Sequence, residues 1–380
     1  MKKVPLVVSV TLLASAISTF AGSSWKQYGF NASHSSFNSG ETILNRTNVS
    51  QLTFDFGARV RTPTAPIVGE GMIFVASDGR IVAFDARTGA KVWGHLSCSG
   101  QGTQQAALDG QRLFVGDGGD DLAAYDAGTG AQIWCDDESG SITSPPAVHG
   151  DSVYITNGTD VVAVDQATGT RLWSFTAADF AAITNTPAYA DGVVYATGTD
   201  TIFALDANTG KKIWRVNIPT EYRLSAPAVG NGIVYVGGTE LFALAAFDGH
   251  FVWIKSDVGT NISTPALADG KVFVNSEDPQ FGLHAFNATT GNLVWKRPNR
   301  PGESDATVTV ANGVVYDVGE FGQLLMFNSG TGERVGKLID PGGLPFDSGF
   351  GAQPAVANGA VYISTGVAGG ANRVDVFRLP

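Results

Sequence analysis

The sequence predicts an all-β fold, a closed ring of eight four-stranded antiparallel blades. Three observations predict it. A unit with Thr-Gly and, four residues later, Trp recurs every 39 to 42 residues, from Thr88-Gly89 and Trp93 through Thr290-Gly291 and Trp295. Each unit alternates apolar and polar residues with no helical period between turns. An independent marker, an aromatic eight residues after a Pro-type position, occurs eight times, from Pro66 and Phe74 to Pro354 and Tyr362. A fixed period in this range means a solenoid or a propeller, and four strands in about 40 residues select the propeller blade.

Thr201–Arg215, TIFALDANTGKKIWR, shows how one unit works. Two alternating strands flank a turn whose Asp206 can bind backbone N–H groups and whose Gly210 can take positive φ. Upstream, Asn231-Gly232 lies between two apolar runs, a strong short-hairpin signal. The six Trp stand at equivalent places, so they cannot all touch one central ligand. Their expected role is blade-to-blade docking, each indole N–H finding a backbone acceptor. The repeated Asp85, Asp126, Asp165 and Asp206 are expected to form turns rather than acid–base pairs. A seventh copy, at Thr331-Gly332, has Gly336 where Trp is expected.

Taken in order, residues 1–21 read as a secretory signal: Lys2-Lys3, an apolar run from Val4 to Ile17, then Thr19-Phe20-Ala21. No Cys follows to carry a lipid, and no second segment is long enough to span a bilayer. A periplasmic or secreted location is expected. Residues 22–51 are polar and irregular, with Trp25, Tyr28, Phe30 and Phe37 as candidate anchors. Residues 52–380 form the propeller. Leu52–Phe56 reads as a last strand with no blade before it, Phe54 taking the Trp-type place. The C-terminus ends after only three strands, so the two ends should complete the eighth blade and remove its open edges.

The net charge of −11 argues against nucleic acid and anionic membrane surfaces as partners. Cys98 and Cys135 stand alone in an oxidising compartment. A disulfide tying the first inter-blade loop to blade two is expected, two free thiols being the alternative. The acidic residues Asp117, Asp120, Asp121 and Asp136 offer hard oxygen ligands. A solvated rim is their ordinary role, and a calcium site is the alternative. The five His occupy unrelated places in the repeats and read as surface or loop residues, with no ligand spacing.

The residues just before each Pro-type marker should ring the channel mouth. They are Arg61, Gln104, Ser144, Asn185, Arg223, Asn261, Ser263 and Asp305. This ring is polar and differs from blade to blade, as an asymmetric ligand requires. Arg61 and Arg223 stand about four blades apart and would face each other, a local anion site. The loop from Gly336 to Gln353 would lie over the same face.

The units resemble the pyrroloquinoline-quinone-type (PQQ-like) propeller repeat: a second-strand aromatic, a strand ending in Ala-x-Asp, then Thr-Gly and Trp. The opening Trp25-Lys-Gln-Tyr-Gly, with Glu41-Thr42 and Asn48-Val-Ser-Gln-Leu52, also resembles the start of that family. The resemblance implies either a quinoprotein dehydrogenase or a scaffold like the periplasmic lipoprotein of outer-membrane β-barrel assembly. The enzymes need a calcium-type ion at the quinone, an Asp base and, usually, a vicinal disulfide. This chain has no adjacent Cys pair and none of the enzymes' long insertions. The expectation is therefore an exported, monomeric binding or scaffolding propeller without a cofactor, its partner a protein or a small anionic ligand. A small PQQ-dependent dehydrogenase with calcium is the runner-up, and a carbohydrate- or metabolite-binding propeller the third reading.

Overall fold

Blade one shows how the repeat packs: Ile67–Gly69, Met72–Ser77, Arg80–Asp85 and Lys91–Leu96 run from the channel outward as one antiparallel sheet. The register aligns Ile67, Phe74, Ala83 and Trp93 in one row. The small Ala83 lets Phe74 and Trp93 meet over it, their ring centroids 6.0 Å apart. The same row recurs as Tyr154, Ala163 and Trp173, and as Tyr195, Ala204 and Trp214. In the computed structural model eight such sheets form the ring. It describes residues 23–380 apart from 102–103, 118, 120, 137–140, 178–181, 278–281, 299–306, 320–322, 340, 342–352 and 366–371. The leader at 1–21 and most of the loop between Gly336 and Gln353 thus lie outside the described residues.

The seams between blades are built by the Trp residues. Trp93 Nε1–H donates to the Ala127 carbonyl of the next blade at 2.8 Å, and Trp173 to Ala207 at 2.9 Å. Trp134, Trp214, Trp253 and Trp295 do the same at Gln166, Ala246, Ala288 and Ser329. Each indole lies under the glycine-containing turn of that neighbour. A Cβ on Gly210 would come 2.6 Å from the Trp173 ring, so this turn needs glycine for space as well as for its φ of +67°. The turn itself is tied by its acid: Asp206 Oδ1 accepts from Thr209 N and Oγ1.

Ring closure is as expected, with a shifted register. Thr53–Arg59 is the outer strand of the eighth blade, antiparallel to Arg373–Arg378. A bulge after Phe54 aligns Phe56, not Phe54, with Val376 and Tyr362. Phe56 therefore holds the Trp-type place, and Gly89 of blade one lies against its ring. Phe54 turns outward.

Residues 23–52 are not a loose leader to the ring. In a propeller the innermost strand of every blade is an edge, with backbone groups left to pair. Here the N-terminal segment takes them up, blade after blade. Trp25 exchanges both backbone bonds with Val68, and Leu108 N–H donates to Lys26 O. Val148 N–H is met by Gln27 Oε1. Tyr189, Val229, Leu267 and Val310 donate to the carbonyls of Ala32, Ser33, Ser35 and Ser36. Phe37–Asn38 pairs in parallel with Val310–Ala311, and Asn38 Nδ2 donates to Val356 O. These hydrogen bonds fall on eight residues, each the middle one of an innermost strand, so the segment circles and plugs the channel. It then makes one 3-10 turn, Val49–Gln51, packed with Leu44 and Leu52 against Tyr316, Met326 and Phe377.

Two of the five His contradict the surface reading. His34 is buried in the plug and bonded through Nδ1 to Pro227 O at 2.8 Å; burial pushes its pKa down to about 4. His284 points into blade six beside Gly282 O, and burial again pushes it down to about 4. Neither has ligand geometry, and each fills a place that most blades give to an apolar residue or to backbone.

Candidate ligand site at the channel mouth

The plug closes one end of the channel and leaves the other as a bowl. The innermost strands enter from this face, so the residues before each Pro-type marker form its wall. The cavity has a volume of about 450 Å³. Its lining includes Gln104, Asn185, Arg223, Asn261 and Ser263 among the residues expected from sequence. Tyr28 and Gln353 also line it. Both are tied down: Tyr28 Oη donates to Thr264 Oγ1 at 2.9 Å, and Gln353 bonds Gly29 N and Ser36 Oγ of the plug. The plug thus supplies part of the site, which sequence reading missed because its contacts are long-range and carry no periodicity.

Arg61 does not line this cavity. Its side chain is 87% exposed and pairs with Asp78 at 3.3 Å. The mouth is reached only in the last few residues before each marker, and in blade one that place belongs to Thr64. Arg61 stands too early on the loop, so the expected pair of opposed guanidinium groups does not form. Ser144 is buried beneath the wall, between lining residues Thr143 and Pro145. Its Oγ accepts from Thr156 N–H at 3.1 Å. Thr64, Ser225 and Ser263 receive the same bond from Ala76, Gly237 and Asn275. The recurrence of Ser or Thr two residues before the marker was the available signal that this hydroxyl caps a strand. Asp305 lies outside the described residues.

Asn185 ties neighbouring blades together: Nδ2 donates to Thr197 Oγ1 and to Leu224 O. Arg223 is the one charged side chain among the described lining residues, and it has no acidic partner among them. Gln105, between Gln104 and the marker, also lines the bowl.

Among the described residues the acidic cluster does not assemble. Asp117 is buried, with Oδ1 accepting from Gly119 and Asp121 N–H and Oδ2 from Ser99 N–H. Its carboxylate organises a turn and is saturated by backbone donors. Asp121 lies instead beside Cys98 and Cys135, and Asp117 and Asp136 do not converge on it. Cys98 and Cys135 are joined in a disulfide, with Cα atoms 6.3 Å apart, so their sulfurs are not thiolate ligands. Asp120 lies outside the described residues.

A PQQ held with calcium calls for hard carboxylate oxygens at the ring and a flat hydrophobic clamp. Among the described lining residues there is no Asp, Glu, Cys or Trp. This donor set does not fit that group.

Comparison with known proteins places the chain. A stretch of 138 residues is 26% identical to tetrathionate hydrolase of Acidithiobacillus ferrooxidans, covering 29% of this chain and 28% of that enzyme. The structure is similar to quinohemoprotein alcohol dehydrogenase ADHIIG from Pseudomonas putida HK5, with a TM-score of 0.73 and 16% identity over 94% of this chain and 80% of that one. It is similar also to BamB from Moraxella catarrhalis, with a TM-score of 0.68 and 19% identity over 86% of this chain and 97% of that one. At such identities the two structures show the shared fold alone. Overlapping matches to the family model described as outer membrane protein assembly factor BamB cover residues 46–103, 77–201, 157–236 and 198–369. They take in most of the chain, which therefore belongs to this family of PQQ-like β-propeller repeat proteins.

Proposed function

We propose that the chain is an exported, non-catalytic binding or scaffolding propeller of the cell envelope or extracellular space, whose channel mouth grips an anionic ligand through Arg223. The observation that carries this reading is the position of Arg223: among the described residues, a guanidinium without an acidic partner on the wall of a cavity otherwise lined by neutral groups. Arg is suited to carboxylate recognition because it presents a planar fork of donors. The volume falls in the range of small-ligand sites. The family and the likeness to BamB support a scaffolding role. The Lys2-Lys3 and apolar run at the N-terminus support export, and no helix among the described residues is long and apolar enough to cross a membrane.

The test is a panel of carboxylates, sugar acids and acidic peptides read by thermal shift and calorimetry, on the wild type and on Arg223→Gln. Stabilisation in the wild type that the variant loses supports the reading. A parallel arm adds PQQ with calcium and a dye-linked alcohol oxidation assay. A bound-quinone absorption band with turnover would replace this function by a dehydrogenase.

A further inference from the structure

The bowl has a second feature that differs in kind from Arg223. Gln105 lines the cavity, is only 4% exposed, and its Nε2 has no hydrogen-bond partner among the described residues. Other polar groups around it are used: Asn185 and Gln353 bridge neighbours, and the Ser and Thr hydroxyls at the strand starts cap the second strands. Of the seven equivalent positions, Ala65, Pro145 and Ala226 bring no polar side-chain atom, while Thr186, Thr264, Thr307 and Gln353 are polar. Thr264, Thr307 and Gln353 bond the plug, which the Gln105 amide nitrogen does not. A buried amide without a partner is costly, and structures tolerate it mainly where a ligand or water supplies the missing bond. Gln105 belongs to blade two and Arg223 to blade five, so the two stand apart across the bowl.

We infer that Gln105 and Arg223 are the two recognition poles of one ligand, a compact carboxylic acid with a neutral oxygen several atoms from its carboxylate. This rests on the reading of the mouth as an anion-binding site. The carboxylate sits on the Arg223 guanidinium. The neutral oxygen, a carbonyl or hydroxyl, pairs with the Gln105 amide. Leu224, Ile262 and Pro145 in the wall suit a short apolar stretch between the two ends. A peptide-like acid and a sugar acid both present this pattern.

Because the Gln105 amide nitrogen has no protein partner among the described residues, its removal should act in opposite directions on stability and on binding. Gln105→Leu keeps the bulk and deletes the orphan group, so the melting temperature of the free protein should rise. Affinity for the ligand should fall roughly tenfold, the scale of one lost hydrogen bond in a buried site. The probes are an N-acetylated alanyl dipeptide with a free C-terminus, its C-terminal amide, and gluconate, each titrated calorimetrically into wild type, Gln105→Leu and Arg223→Gln. We expect the dipeptide acid or gluconate to bind the wild type, the amide to bind poorly, Arg223→Gln to abolish binding, and Gln105→Leu to weaken it while melting higher. Binding that Arg223→Gln abolishes and Gln105→Leu leaves unchanged overturns the second pole and leaves the anion site standing. A lower melting temperature for Gln105→Leu overturns it as well, because Gln105 would then be a structural residue. If neither acid binds the wild type, both this inference and the reading it rests on fail.

Discussion

The Arg378 guanidinium donates to the carbonyl of Ala86 across the seam between the eighth blade and the first. Ala86 is the equivalent of Ala127, Ala207 and Ala246, whose carbonyls accept from Trp indoles in other seams. Arg378 also lies over the Phe56 and Tyr362 rings, 5.4 and 6.0 Å from their centroids. The closing seam thus splits the task of one Trp between two residues. Phe56 supplies the flat face under Gly89, and Arg378 supplies the donor. The strand carrying Phe56 comes from the opposite end of the chain, so this seam is also where the ring is locked.

Cutting that lock should be felt by the whole ring. Deletion of residues 22–60 removes the outer strand of blade eight and the plug together, leaving unpaired edges on the innermost strands. The truncated protein should melt well below the intact one in a calorimetric scan. Equal melting temperatures would mean that the ring does not depend on its closure.

Blade seven, which has no Trp, offers a packing test. There the row reads Tyr316, Met326, Gly336 instead of aromatic, Ala, Trp. A Cβ at Gly336 would stand 2.6 Å from Met326 Cε. The volume lost at the outer strand is returned one strand inward, and Ser50 of the plug covers what remains. Met326→Ala alone should cost about 2–5 kcal/mol as a core cavity. Gly336→Trp alone should also destabilise, by overpacking. Their combination should be more stable than the two costs added, by about 1 kcal/mol or more, since the residues share one space. Chemical denaturation of the four species measures this, and strict additivity would refute the exchange of volume.

Much of this was readable from one chain because the repeat is a spatial rule written at fixed intervals. Trp173, Gly210 and Asp206 recur with their neighbours, so their packing roles could be argued from symmetry alone. Strand alternation and the two chain ends likewise led to the closed eighth blade. What escaped was whatever occurs once. The N-terminal segment bonds eight distant strands, six through its own backbone and two through the side chains of Gln27 and Asn38, so its side chains carry no period. The bulge after Phe54 moved the docking aromatic by two residues, and a bulge has no compulsory residue type. Five of the eight residues expected at the mouth line the cavity, but Arg61 lay too far from its marker to reach it. His34 is buried only because the plug is, so its neighbours in sequence gave no hint of its surroundings.

The disulfide yields a separate prediction. Cys98 and Cys135 close a loop of 37 residues in sequence. Chain entropy for such a loop corresponds to about 2–4 kcal/mol. Cys98→Ser with Cys135→Ser should lower stability by that amount in urea, with little change in the mouth, where neither Cys is a lining residue. Thiol titration of the unreduced, unfolded wild type should find no reactive thiol. Two reactive thiols would refute the bond.

The buried imidazoles set the response to acid. His34 and His284 both have pKa values of about 4 in the folded protein, against 6.5 when free. The unfolded chain therefore takes up protons between pH 6.5 and 4 that the folded chain refuses. Stability is fully present above pH 6.5 and is lost as pH falls toward 4; below that both states are protonated and the loss levels off. For shifts of this size the loss is on the order of 3 kcal/mol per imidazole. The turn acids act lower. Asp85 and Asp126 are held below the usual carboxylate value, chiefly by the hydroxyls of Thr88 and Thr129, so their contribution disappears only beneath that range. His34→Asn separates the two effects. Asn suits the positive φ of 54° at this position and does not titrate. The variant should lose about half of the stability change between pH 6.5 and 4 and keep the change below it. Melting temperatures at half-unit steps measure this, and an unchanged acid profile in His34→Asn would show that the plug histidine takes up its proton alike in the folded and unfolded states.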